Sequence, residues 1–384
     1  MRTASIGELT SPVKSWNPSR DSDRKFEYID LGAVDNSSKT VTNAIPTVGS
    51  DAPSRARQLV ADGDILVSTV RPNLNAVAVV PPHLDGATAS TGFTVLRPTA
   101  EIDGRFLFHW VRSKDFIDEM VRRATGASYP AVSDRIVKES LIPTPPLPEQ
   151  RRLAAILDHA DALRAKRRQV LTHLDSLVAA TFVERFDTYA ETPALGESLS
   201  FITSGGRGWA KYYAPVGDRF IQSLDVQMGS ISTRDPVFVT PPDNAESRRT
   251  RTRVGDVLLT ITGSRIGRAA ALPDCLAGAY VSQHVAILRP DPELMLPEFL
   301  AAMLALPSLG QQLIAGAQYG QTKPGLNFEQ IRAFALPRPP LSDQQHFVQH
   351  VHQIAEQREL MVRAGTCSDQ LFSSLQARAF RGEL

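Results

Sequence analysis

The sequence predicts an α+β chain: two similar β-rich domains separated by two long helices, which pair as an antiparallel coiled coil about a pseudo-twofold axis. Two observations carry this. The chain repeats itself over half its length, and each copy of the repeat ends in a proline-rich hinge followed by an amphipathic helix. Gly63-Asp64-Ile65-Leu66 returns as Gly255-Asp256-Val257-Leu258, and Leu96-Arg97-Pro98 as Leu288-Arg289-Pro290, both pairs 192 positions apart. Pro145-Pro146-Leu147-Pro148-Glu149-Gln150 answers Pro339-Pro340-Leu341-Ser342-Asp343-Gln344 at a spacing of 194. A repeat this long is too large for a solenoid unit and marks two copies of one module. The 384 residues suffice for two independent cores. The boundaries follow: domain one at 1–143, helix one at 144–187, domain two at 188–337 and helix two at 338–384.

Each copy runs through the same elements. It opens with Ile6-Gly7-Glu8 or Leu195-Gly196-Glu197 and continues into strand-like stretches at 26–31 and 220–224. Residues 64–70 and 256–262 are rich in β-branched side chains and follow a glycine, which favours a strand entered from a turn. Returning stretches at 76–81 and 268–273 and further strands at 93–96 and 285–288 complete a β core with antiparallel pairing. Apolar residues then recur at helical spacing, from Phe106 to Met120 and from Phe299 to Leu313. Gly-led loops at 126–130 and 320–324 and short strands at 141–143 and 335–337 lead into the hinges.

Beyond each hinge, Leu153, Ile156, Ala160, Leu163, Val170, Leu174 and Leu177 repeat at steps of three and four. Phe347, Val351, Ile354, Met361, Phe372 and Leu375 do the same, the pattern of a coiled-coil seam. Taking Phe182 and Phe380 as matching landmarks, the second helix carries four extra residues, a stutter, with Gly365 as a kink point. A helix of about 33 residues is roughly 50 Å long, against about 34 Å for one turn of duplex DNA. Two similar surfaces on such a rod suit a ligand with two separated parts, as duplex DNA is. A pure scaffold or adaptor has the same pattern.

Composition narrows the classes. Lys and Arg total 42 against 41 Asp and Glu, a net charge of +1. That argues against a protein that coats nucleic acid and leaves room for local clusters. Eight of the basic residues are Lys, so Arg dominates, and Arg is the better reader of guanine edges and phosphates. Two cysteines in no metal-like spacing fit a reducing, cytoplasmic location. No apolar stretch of about 18 residues is present to span a membrane. The chain lacks an Asn-Pro-Pro-Tyr type sequence for holding a flipped adenine, a Walker motif and a locally supported catalytic triad. His346 and His350 share a helix face, but nothing completes a metal set.

The tail Ser374-Leu375-Gln376-Ala377-Arg378-Ala379-Phe380-Arg381-Gly382-Glu383-Leu384, the hinge at 145–150 and the two Gly-Asp strands resemble the specificity subunits of type I restriction–modification enzymes. The likeness covers nearly the whole chain in that family's order, with Ser342-Asp343-Gln344 standing where Pro-Glu-Gln is usual. It implies a non-catalytic subunit that binds a bipartite double-stranded DNA sequence, one half per target-recognition domain. It also implies two methyltransferase subunits docked on the spacer helices, with two restriction subunits able to join. S-adenosylmethionine, ATP and Mg are then expected on those partners and no cofactor on this chain.

Candidate DNA contacts fall in matching places. Arg249, Arg251 and Arg253 approach the second Gly-Asp strand, and Arg57 sits 192 positions before Arg249. Such clusters set register on phosphates, and a solvated loop reads the same way. Arg71, Asn73 and Asn75 occupy the loop that Ser264, Arg265 and Arg268 occupy in the second copy. A common frame with different side chains is what a reader of two different half-sites needs, since Asn pairs with adenine and Arg with guanine. Loop variation after duplication gives the same pattern. Tyr129, Gln321 and Lys323 lie in the third pair of loops, and Arg207 in a Gly-rich turn that suits a backbone contact.

Overall fold

In the computed structural model, residues 2–186, 189, 192–318 and 325–384 are described. The helices are α1 (Gly104–Trp110), α2 (Lys114–Arg123), α3 (Asp134–Glu139), α4 (Leu147–Phe186), α5 (Ala245–Thr250), α6 (Pro297–Ala305), α7 (Gly310–Ala317), α8 (Phe328–Arg332) and α9 (Leu341–Arg381). The chain divides into two compact units. One comprises Met1–Val170 with Met361–Leu384, the other Leu171–Leu360. Each unit therefore takes one half of α4 and one half of α9.

In unit 1 the repeated Gly-Asp stretch forms Ile65–Ser68, fully buried because both faces are covered. It pairs antiparallel with Phe93–Pro98 and with Val77–Val79. A second sheet orders Ile45–Val48, Lys25–Ile29, Thr88–Ser90 and Ala56–Leu59. In unit 2, Val257–Thr260 sits between Val285–Pro290 and Ala269–Ala271. Its second sheet orders Tyr213–Ala214, Val237–Val239, Asp218–Ile221 and Tyr280–Val281. The sequence leads us to expect antiparallel pairing throughout, and two strand pairs depart from it. Thr88–Ser90 runs parallel to Lys25–Ile29, and Tyr280–Val281 parallel to Asp218–Ile221. Strands brought together across long connections are free to run either way, and alternation of side chains carries no record of direction.

The single apolar helices expected at 106–120 and 299–313 are each two. The Ser113 hydroxyl accepts from the Phe116 amide, capping α2. Pro307 lies in the break between α6 and α7, where it has no amide to continue the ladder. Leu141–Pro143 pairs with Thr3–Ser5. Its counterpart is a single bridge, Ala194 to Ala335, flanked by Pro193 and Pro337, which cannot donate.

The long helices pair antiparallel. In unit 1, Arg152 on α4 donates to the Leu384 oxygen at 2.9 Å, and Arg164 to Asp369 at 2.6 Å. In unit 2, Arg358 donates to Asp175 at 2.6 Å, and Phe182 meets Phe347 edge-on at 5.6 Å. Helix α9 continues through Gly365 without a break. The expected stutter disappears as well. Phe380 packs on Phe106 at 5.0 Å, and Phe186 lies closer to Phe299, at 5.4 Å, than Phe182 does at 6.3 Å. Gln150 and Phe186 are 36 positions apart, as are Gln344 and Phe380. The earlier landmark was displaced by one turn because Phe182 and Phe186 share a helix face. Leu163, Val170 and Leu177, expected in the seam, are 50%, 41% and 45% exposed. Midway along the helices the contacts are polar, including Arg164 with Asp369 and Arg167 with Ser368. Among the described residues, no single helix is long and apolar enough to cross a membrane.

Candidate nucleic-acid interface

The Gly-Asp turn is a structural device in both units. Gly63 and Gly255 adopt φ of 81° and 84°, a left-handed turn that glycine makes without strain. The following carboxylate is buried. Asp64 accepts from the Ala61 amide at 2.8 Å and from both Nε (2.8 Å) and Nη2 (2.7 Å) of Arg97. Asp256 accepts from the Arg253 amide at 2.7 Å and from Nε (2.6 Å) and Nη2 (2.8 Å) of Arg289. A paired, hydrogen-bonded charge is the form in which a carboxylate tolerates burial. The clamp ties the turn to the neighbouring strand and so fixes the start of the strand that carries the next loop.

That loop has one backbone frame in both units. Arg71 and Gly263 are equivalent positions with φ of 50° and 94°, and Asn75 and Gly267 follow with φ of 47° and 91°. In unit 2 glycine supplies both left-handed residues. In unit 1 two side chains occupy them. Asn75 is half-buried and its side-chain amide donates to the Arg112 carbonyl at 3.3 Å, while its backbone carbonyl accepts from the Lys39 ammonium. Its side chain is thus committed inside the lobe. Asn73 is exposed at the tip. Arg71 is exposed, and its guanidinium lies 4.8 Å over the Tyr129 ring. Tyr129 stands at the tip of a loop closed by the Thr125 to Ala131 bridge. The structure thus brings Arg71, Asn73 and Tyr129 to one neighbourhood.

The unit 2 loop is built differently. Ser264 is exposed. Arg265 donates to the Leu224 carbonyl at 3.3 Å, and Arg268 to Gln227 Oε1 at 2.5 Å. Both arginines reach a loop around 222–231 that sequence reasoning passed over, and which exposes Leu224 and Met228. Its sequence signal was four apolar residues, Leu224, Val226, Met228 and Ile231, spaced through a polar stretch. Gln321 and Lys323 lie outside the described residues.

The remaining arginines do not form one cluster. Arg57 is on a strand and half-buried, its guanidinium bonded to the Ala56 carbonyl at 3.0 Å. Arg249, at the equivalent position, is on α5 and exposed. The shared spacing therefore does not mean shared local structure here. Asn244 caps α5 by accepting from the Ser247 amide, and the first copy has no such cap. Arg251 donates to the Gly278 carbonyl at 3.1 Å. Arg253 and Arg207 are exposed.

A polar knot that the sequence did not reveal joins α1 to α4 in unit 1. His109 is fully buried, with Nε2 2.8 Å from Asp158. Arg105 forks onto the same carboxylate at 2.6 and 3.1 Å. Arg112 lies 2.8 Å from Asp161. Burial pushes the His109 pKa down, against the pull of Asp158. Burial also opposes ionisation of Asp158, but the bonds from His109 and Arg105 prevail and hold it well below the usual carboxylate range. Among the described residues no cluster of His, Cys, Asp or Glu is arranged to hold a metal. The His350 ring instead meets the His346 carbonyl at 2.8 Å.

A family model described as type I restriction modification DNA specificity domain matches residues 25–173 and 246–363, which take in most of the first lobe, the later part of the second and more than half of each long helix. The chain belongs to this family. Among members of the type I specificity family, it is 22% identical over 320 residues to the EcoBI specificity subunit of Escherichia coli, a match covering 73% of this chain and 65% of that protein. It is 23% identical over 321 residues to the EcoKI specificity subunit of Escherichia coli strain K12, covering 76% and 68%. The first of these matches thus spans somewhat less than two thirds of the relative's length. A chain in a solved structure of a type I R-M system, concerned with complex assembly and conformational transition, superposes with a TM-score of 0.68 at 25% identity, covering 100% of this chain and 98% of that one. The S subunit of the type I system of M. genitalium shares the fold at 14% identity and a TM-score of 0.55, covering 99% and 96%.

Proposed function

We propose that this specificity-family chain is the DNA sequence-recognition subunit of a type I restriction–modification complex. Each β-rich lobe reads one half of a bipartite double-stranded target. Helices α4 and α9 act as spacers and dock two methyltransferase subunits, to which two restriction subunits can be added. The chain itself carries out no catalysis, and S-adenosylmethionine, ATP and Mg belong to the partners. The assembly works in the cytoplasm.

One observation carries the reading. The two lobes keep the same clamp (Asp64–Arg97 and Asp256–Arg289) and the same left-handed loop frame, yet fill that frame with different side chains. A constant frame with variable polar tips is what separate recognition of two unlike half-sites requires. The exposed Leu163, Val170 and Leu177 on α4 and Leu360 and Leu371 on α9 supply apolar surface for protein partners.

The test is a module exchange. Residues 1–143 are replaced by the corresponding lobe of another family member, and methylated adenines are mapped in cells that also carry the partner subunits. One half of the methylated sequence is expected to change while the other stays. A change in both halves, or in neither, overturns the modular reading. A gel-shift with the methyltransferase partner that shows no retention of DNA would leave an adaptor role instead.

A further inference from the structure

We infer that Arg71 reads a guanine in the half-site of the first lobe, with Tyr129 as the residue that positions it. The inference rests on the proposed DNA-recognition role and adds a base identity to it.

The second lobe acts as an internal control for the first. The loop frame calls for a left-handed residue at position 71 and again at 75, and the second lobe meets both demands with Gly263 and Gly267. A non-glycine residue in that region carries a cost, so its side chain needs a reason to be there. Asn75 has one, since its amide braces the Arg112 carbonyl. Arg71 has no such internal bond. Among the described residues, neither a hydrogen bond nor an ion pair engages its guanidinium, and the side chain is exposed. Its backbone is nonetheless held firmly. The Arg71 amide donates to the Pro130 carbonyl at 2.7 Å, and Val70 bridges Ala131.

The remaining contact of the guanidinium is with an aromatic face. Tyr129 lies 4.8 Å beneath the guanidinium and is itself 69% exposed. The loop that presents Tyr129 depends on Gly126, with φ of 99°, where a Cβ would come within 2.9 Å of the Tyr129 carbonyl oxygen. An arginine stacked on a ring keeps its donor edge free. A phosphate also accepts two bonds from an arginine fork, but a backbone contact would serve both half-sites alike, whereas the second lobe carries Gly263 at this position. Guanine O6 and N7 lie in one plane and accept two parallel bonds from an oriented fork.

The experiment maps methylated adenines for the full chain with its partner subunits, in wild type, Arg71→Gly, Arg71→Lys, Tyr129→Phe and Tyr129→Ala. Glycine keeps the frame, as it does at 263, so Arg71→Gly is expected to unfold no earlier than wild type. It is also expected to relax one guanine position in one half-site, lowering discrimination there by about 10- to 100-fold. Arg71→Lys relaxes the same position. Tyr129→Phe retains the motif because the ring face remains, and Tyr129→Ala blurs the same guanine without an equal loss of stability. An unchanged motif in Arg71→Gly overturns the assignment. So does an evenly weakened signal at every base, which is the mark of a phosphate contact, and so does relaxation at a base other than guanine. If the wild-type assembly methylates without sequence preference, the DNA-recognition reading itself falls and takes this one with it.

Discussion

Arg97 holds Asp64 by two parallel bonds of 2.7 and 2.8 Å, and the carboxylate it holds is almost wholly buried. Arg289 and Asp256 repeat the arrangement. The aspartate after each repeated glycine is therefore the anchor of its lobe. Asp64→Ala removes the partner of a partly buried guanidinium and strands the Ala61 amide, which costs about 3 kcal/mol. Urea unfolding with amide exchange is expected to show the loss in unit 1, with protection in unit 2 unchanged. Equal loosening of both units would contradict it.

Gln150 and Gln344 act as staples between each long helix and its lobe. Gln150 accepts from the Asp103 amide at 2.8 Å and donates to the Pro145 carbonyl at 2.9 Å. Gln344 does the same with Leu296 and Pro339, both at 2.8 Å. Either Gln→Ala change leaves buried backbone groups unpaired, at about 1–3 kcal/mol. Gln→Glu is expected to be worse, because it replaces the amide donor with a carboxylate oxygen that faces a carbonyl oxygen. Thermal unfolding of the paired variants checks the order.

The aromatic contacts predict a crossed pattern. Phe380, near the end of the chain, packs on Phe106 and Trp110, both at 5.0 Å, whereas Phe186 packs on Phe299 and Phe347. Phe380→Ala is expected to loosen the first unit and Phe186→Ala the second, each by about 3–5 kcal/mol. Amide exchange resolved by peptide distinguishes this from a general loss along the helices.

The His109 site makes stability depend on pH. Burial lowers the folded pKa of His109 below 6.5, so the unfolded imidazole takes up its proton first as pH falls. Its contribution is complete above 6.5 and drains away as pH falls toward the lowered folded value. The charged groups facing it are Asp158, Arg105, Arg112 and Asp161. Asp158, also lowered, adds a loss only below its ordinary 3.8. The urea midpoint of wild type is expected to fall between pH 7.5 and 5.5, and that of His109→Gln to fall less. Equal slopes would remove His109 as the cause.

Arg249 is exposed on α5, with neither an ion pair nor a hydrogen bond to its guanidinium among the described residues. If it meets phosphate, Arg249→Glu weakens DNA retention by the assembled complex and lowers the salt slope by about one. Retention and slope equal to wild type would exclude the contact.

Much of the architecture was legible because the signals are local. The doubled Gly-Asp strands, the hinge glutamines and the two apolar periodicities each lie within a few residues. Read together they indicate two lobes and two long helices. The loop at 71–75 was legible as a candidate because its frame recurs at 263–267. That the Arg71 guanidinium lies over the Tyr129 ring was not, since 58 positions separate them and no periodicity joins them. Nor was the inward use of Asn75, which looks like a base reader until the Arg112 carbonyl is seen beside it.

The division has a physical basis. Chain order, element type and the repeat itself follow from short-range patterning, where side-chain spacing alone selects helix or strand. Strand direction, the closer approach of Phe186 than of Phe182 to Phe299, the exposure of Leu163 and the burial of His109 depend on contacts between distant segments. Those contacts are settled by which hydrogen bonds and cavities remain once the backbone is folded, and folding alone brings the participants within reach of one another.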